Sequence, residues 1–94
     1  MGGKLNRRWD ADIRTLTPAE LILGARQLMQ GKKHRQALLR LEEIGRRKSV
    51  PPDTQVEVLL LTGECEFDSG NPAKAADAFE QLATAFPQHA RAAG

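Results

Sequence analysis

The sequence predicts an all-α fold of two antiparallel helical hairpins with a short N-terminal helix, and three observations predict it. Ala, Leu, Glu, Gln, Lys and Arg, which favour helices over strands, are abundant, while aromatic residues make up 4% of the chain and tyrosine is absent. Apolar residues recur at three- and four-residue spacing in stretches separated by Gly and Pro stop signals. The second half also repeats the first: Gly24 aligns with Gly63, Gly31 with Gly70 and Ala37 with Ala75, at offsets of 39, 39 and 38. A hydrophobic content of 40% beside 28% charged residues suits a folded domain, where a disordered chain would carry less apolar side chain and more net charge. With 94 residues the chain has one modest core at its disposal, since folding at this size buries about 60 to 65% of the unfolded surface.

Leu5, Trp9, Ile13 and Leu16 fall at spacings of four, four and three, so residues 1–16 are expected to hold a short amphipathic helix that caps the first hairpin. Trp9 there reads first as packing and second as a partner anchor. The first hairpin covers residues 17–50. Thr17-Pro18-Ala19-Glu20 opens its first helix, with Thr17 as the cap, Pro18 at the first helical position and Glu20 reaching back to close a capping box. That helix runs from 18 to 30, with Leu21, Gly24, Ala25 and Leu28 on one face, and Gly31 ends it at positive φ. Ala37, Leu38, Leu41 and Ile44 make the stripe of a second helix from 34 to 47, with Arg46, Arg47 and Lys48 at its last turn.

Ser49-Val50-Pro51-Pro52 breaks the pattern and marks the one internal boundary. The second hairpin covers residues 51–87. Asp53 is expected to cap its first helix, which carries Val56, Leu59, Leu60, Gly63 and Phe67 on one broad side and stops at Ser69-Gly70. Asn71-Pro72 repeats the cap-then-proline start, and Ala75, Ala76, Phe79, Leu82 and Ala83 form the last stripe, ending near Phe86-Pro87. Residues 88–94 read as the first turn of a third helix.

Residues 56–87 resemble a tetratricopeptide repeat: Gly63 stands at the helix-crossing glycine, Gly70 at the inter-helix turn, Ala75 at the small contact position, Phe79 four residues on and Pro87 at the terminator. Thr62 and Glu66 depart from the aliphatic residue and tyrosine of that family's pattern. The first hairpin is a degenerate copy. It keeps Leu23-Gly24, Gly31, Ala37, Leu41 and Ile44, but has Glu20 and Gln27 at the bulky and aromatic positions, one extra residue in its turn and a longer exit loop. The resemblance, closest to a variety found in many bacterial assembly and envelope proteins, implies a fragment of a right-handed solenoid whose function is to bind another protein. It also implies a groove lined by the first helix of each repeat, here Leu21, Ala25, Leu28 and Met29, then Leu60, Glu64, Phe67 and Asp68. The carboxylate clamp of some family members needs Lys and Asn where this chain has Leu60 and Glu64, so the expected occupant is a helical or extended protein segment or another copy. Two repeats are fewer than the three such arrays usually need, which points to self-association or a partner helix at the uncovered end.

Charge sharpens this. Through residue 50 there are twelve basic against five acidic residues, and from residue 51 two against seven, so a net +7 half precedes a −5 half. Head-to-tail association of basic half on acidic half is the expectation. Lys32, Lys33 and Arg35 form one basic cluster and Arg46, Arg47 and Lys48 another, about 18 to 20 Å apart along a helix. Both adjoin helix C-termini, where cations offset the dipole, so they read as structural charge, then as partner contacts, then as contacts to nucleic acid or an anionic surface. The alternative function is thus binding of RNA or an anionic surface through the basic half.

Chemistry is not expected. Glu64 and Asp68, four apart, have no third partner for metal or acid–base work and read as a polar contact for a partner. Cys65 has no disulfide partner, only His34 and His89 as soft companions, and a helix position that suits a packed thiol. With no reacting constellation, no cofactor and no metal site are expected and the chain is read as non-enzymatic. The longest apolar run, Val58 to Leu61, cannot span a membrane, and the basic start meets Trp9-Asp10-Ala11-Asp12 where a signal peptide needs apolar residues. Asn6 breaks a myristoylation pattern. A cytoplasmic location is expected.

Overall fold

The computed structural model describes residues 12–88, whose regular structure is all helical, with no strand among them. A 3-10 turn, Ile13–Thr15, is followed by α1 (Pro18–Gln30), α2 (His34–Gly45), α3 (Pro52–Asp68) and α4 (Pro72–Ala85). α1 packs on α2 and α3 on α4 as the two expected hairpins, and α3 joins them by lying against α2 and touching α1.

The start of α1 follows from its residues. The Glu20 amide donates to the Thr17 hydroxyl (3.2 Å) and the Thr17 amide to the Glu20 carboxylate (2.8 Å), so two helix-start donors are satisfied reciprocally. Of the segment expected to hold an N-terminal helix, residues 12–16 are described and contain a 3-10 turn that Asp12 caps through the Arg14 amide; Leu5 and Trp9 lie outside the described residues. Asp12 and Arg14 also pair through their side chains, and that hydrogen bonding holds the Asp12 carboxyl down at about 2.

Both hairpin turns close by the same device, and it corrects the sequence alignment. In the first, the Lys33 amide donates to the Leu28 carbonyl (2.8 Å) and the Lys32 amide to Met29 (3.0 Å); in the second, Asn71 donates to Glu66 (2.8 Å) and Gly70 to Phe67 (3.1 Å). The left-handed residue is therefore Lys32 (φ 65°) in one turn and Gly70 (φ 91°) in the other, and Gly31 sits at φ −84°. The first hairpin has no extra residue in its turn, because Lys32 pairs with Gly70, and Ala37 with Ala75, at the same offset of 38. Counted from the turn, the counterpart of Gly63 is the fully buried Ala25.

Other boundaries shift for physical reasons. Asp53 does not cap α3: Pro51 is the N-cap residue and Pro52 opens the helix with its φ preset, leaving Asp53 in the first turn where its charge still suits the dipole. Asn71 occupies the N-cap position of α4 without capping it, since its side-chain amide donates back to Glu66 (3.2 Å) and Ser69 (3.3 Å). α2 ends at Gly45, two residues early, so Arg46 to Lys48 follow the helix instead of completing it.

The core lies between the first hairpin and α3. Leu21, Ile22, Ala25 and Leu28 of α1, Ala37, Leu41 and Ile44 of α2, and Val58, Leu61 and Cys65 of α3 form one buried cluster with Val50. Ile13, Leu16, Met29 and Leu38 pack on its edge. α3 thus buries Val58, Leu61 and Cys65 toward one neighbour and Val56 and Gly63 elsewhere, where the sequence offered a single side that included Phe67. A helix between two others has apolar residues most of the way round, which blurs the stripe that periodicity relies on. α4 buries Ala75, Ala78 and Leu82, and the expected stripe members Ala76 and Ala83 are exposed.

Candidate functional site

At the end of the second hairpin two phenyl rings stand among carboxylates. Phe67 of α3 is 64% exposed and Phe79 of α4 is 40% exposed; with Glu64 and Asp68 they line a groove of about 470 Å³. Glu64, Phe67 and Asp68 share one helical face by their spacing of three, one and four. Phe79 is held there by Gly63: a β-carbon at Gly63 would lie 2.5 Å from ring atoms Cε1 and Cζ, so the ring occupies the space a side chain would take. Glu64 and Asp68 are exposed and form no ion pair among the described residues. Burying such rings against a partner is favourable by roughly 25 cal/mol for each Å² of apolar surface removed from water.

The register explains why this end is open. Thirty-eight residues before Phe67 and Phe79 stand Met29 and Leu41. Leu41 is 1% exposed and Met29 half-buried, in or against the cluster that includes Val58, Leu61 and Cys65 of α3. The second hairpin therefore presents to solvent the face with which the first receives α3.

The residues that the family resemblance placed in a groove fall into two sets. Leu21, Ala25 and Leu28 are core residues with no face left for a partner, and Met29 packs against them. Leu60 is half-buried, while Glu64, Phe67 and Asp68 come together as expected. Phe79, expected in the apolar stripe of α4, lies against Gly63 and is exposed. Its exposure had no sequence signal beyond Gly63, opposite which it must lie outside the tight helix crossing. A second depression, of about 650 Å³, opens between the end of α2, the start of α3 and the end of α4, over Ile44, Val50, Val58 and Leu59. It holds no convergent set of titratable groups.

The basic residues divide by what they touch. Lys32, Lys33 and Arg35 surround the first turn, exposed and outside any ion pair among the described residues. Arg46 and Arg47 are engaged with buried Glu43, at 3.3 and 3.2 Å, and Arg47 also donates to the carbonyls of Ile13 (3.2 Å) and Arg14 (3.4 Å). Arg47 thus ties the 3-10 turn to the end of α2, and Lys48 has no such bond among the described residues. Arg26 pairs with Glu57 across α1 and α3.

Cys65 is fully buried, and its thiol donates to the His34 carbonyl (3.4 Å). Burial, with smaller contributions from the Glu66 and Asp68 charges, pushes the thiol up from 9.0 to about 11. Thiol labelling of the folded protein at neutral pH should be slow and become stoichiometric on unfolding. Because the folded state keeps this proton longer than the unfolded state, stability should fall as pH rises from about 9 to about 11, and Cys65→Ala should flatten that decline in denaturant titrations.

Among the described residues no group of three or more His, Cys, Asp or Glu is placed to hold a metal, and no helix is long and apolar enough to cross a membrane. No protein-family profile, no curated protein and no solved structure matches the chain.

Proposed function

We propose that this chain is a protein-interaction module, a tetratricopeptide-like scaffold or adaptor of non-enzymatic function that grips a partner at the α3–α4 end. The observation that carries this reading is the exposure of Phe67 and Phe79 at positions whose counterparts, Met29 and Leu41, are covered within the chain. Exposed rings side by side mark a docking surface more often than scattered single apolar residues do. Glu64 and Asp68 at the rim favour a partner that brings cations. The cytoplasmic setting expected from the sequence goes with this proposal. RNA binding through the basic half has less to stand on, since Arg46 and Arg47 are already committed to Glu43 and the 3-10 turn.

A photo-crosslinking residue placed at position 67 in the expressing cell should capture a discrete protein, itself included. The same residue at the exposed Gln36 on α2 should capture none. Equal labelling from both positions, or none from position 67, overturns the proposal.

A further inference from the structure

We infer that the acidic, phenyl-lined end of the second hairpin receives the basic segment Lys4-Leu5-Asn6-Arg7-Arg8-Trp9 of a second copy. This rests on the reading of the chain as an interaction module and names its partner. The surface asks for a definite chemistry: apolar or aromatic groups for Phe67 and Phe79, and cations for Glu64 and Asp68, which have no positive partner among the described residues. Residues 4–9 supply it, with Leu5 and Trp9 four apart and Lys4, Arg7 and Arg8 beside them. The other basic stretches do not. Lys32, Lys33, His34 and Arg35 contain no apolar residue, Arg46 and Arg47 are held by Glu43, and exposed Leu39 shares its groove with Glu42 and Glu66.

Reach bears on whether a copy's own Trp9 or its neighbour's fills the site. The 3-10 turn is tied by Arg47 to the end of α2, beside the start of α3, whereas Phe67 lies fifteen residues along α3 from Pro52, about 22 Å up the helix axis. Trp9 precedes Asp12 by three residues and can extend about 10 Å from it. A chain's own Trp9 therefore falls short of its own Phe67, and Phe67 is 64% exposed in the single chain. Segment and receiving end also fall in the +7 and −5 halves, so approach of two copies is favoured in this orientation. The contact is head-to-tail: it leaves one segment and one end free, and growth does not stop at two.

The test uses two full-length variants. Leu5→Ala with Trp9→Ala removes the segment; Phe67→Lys blocks the end at an exposed position, and unchanged helicity and melting establish that both fold. The unaltered chain should show a mass above the 10.3 kDa monomer that rises with concentration, with association about ten-fold weaker on going from about 0.05 to about 0.5 M salt. Each variant alone should be monomeric, and an equimolar mixture should form a dimer and nothing larger. Since Trp9 is the single tryptophan, the mixture's emission comes only from the Phe67→Lys copy and should shift to the blue on mixing. The inference is overturned by a mixture that stays monomeric, by association that survives in either variant, or by an unaltered chain that is monomeric at all concentrations. A blue-shifted Trp9 in that monomer, lost in Phe67→Lys, would assign the site to the chain's own segment. Monomeric behaviour together with capture of a different protein at position 67 would leave the module reading standing without self-assembly.

Discussion

Leu41→Ala should lower the unfolding free energy by about 3 kcal/mol, within the range of about 2 to 5 for a buried Leu. Leu41 is 1% exposed and belongs to the cluster shared by α1, α2 and α3, so its truncation leaves a cavity that three helices must close together. In a domain of this size that corresponds to a drop in Tm of about 12 to 24 °C. Leu39→Ala is the control: two residues away on the same helix and 49% exposed, it should change stability by no more than about 0.5 kcal/mol. Chemical denaturation of both variants measures the difference, and equal costs would mean that the core is not where the structure puts it.

Gly63→Ala should be destabilising and Gly24→Ala should not. Alanine is favoured over glycine inside a helix by about 1 kcal/mol, and both glycines lie inside helices. At Gly63 the added methyl would meet the Phe79 ring at 2.5 Å, a contact relieved only by moving an aromatic side chain, and overpacking of this kind costs about 1 to 3 kcal/mol. The nearest group at Gly24 is the Arg40 side chain, its Nε 3.1 Å away, and a long side chain gives way easily. Gly24→Ala should therefore be neutral or stabilising by up to about 1 kcal/mol. Gly63→Ala should be net destabilising by about 1 kcal/mol, balancing propensity against overpacking. Adding Phe79→Ala should cancel the clash and expose the helix gain, giving a non-additive double-mutant cycle. Additive behaviour would show that the ring does not occupy the site.

The two glycines also show how far the sequence could be read. Helix number, type and most limits were legible because they depend on local chemistry: the Thr17–Glu20 box, the prolines at the first helical positions and the stripe of α2 act within a turn or two of chain. The alignment of Gly24 with Gly63 was also drawn from the sequence, yet the turns show that Ala25 takes the equivalent place, one residue along. One residue is 100° of helix, enough to carry a side chain from the interhelical face toward its edge. At the candidate site, the acidic residues and Phe67 came from the repeat pattern, while Leu21, Ala25 and Leu28 were misassigned to the groove.

That misassignment and the exposure of Phe79 have one cause. A stripe of apolar residues says that a face is to be covered, and says nothing of which neighbour covers it. By itself the sequence determined four helices, their two turns and the division of charge between the halves, because each is a property of adjacent residues. Only the tertiary structure decided which stripes meet: α3 lies across the first hairpin and covers Leu41 and Met29, and no such helix among the described residues covers Phe79 and Phe67. Coverage is a contact between residues far apart in the chain, governed by which faces reach one another, and spacing along a single helix carries no record of it.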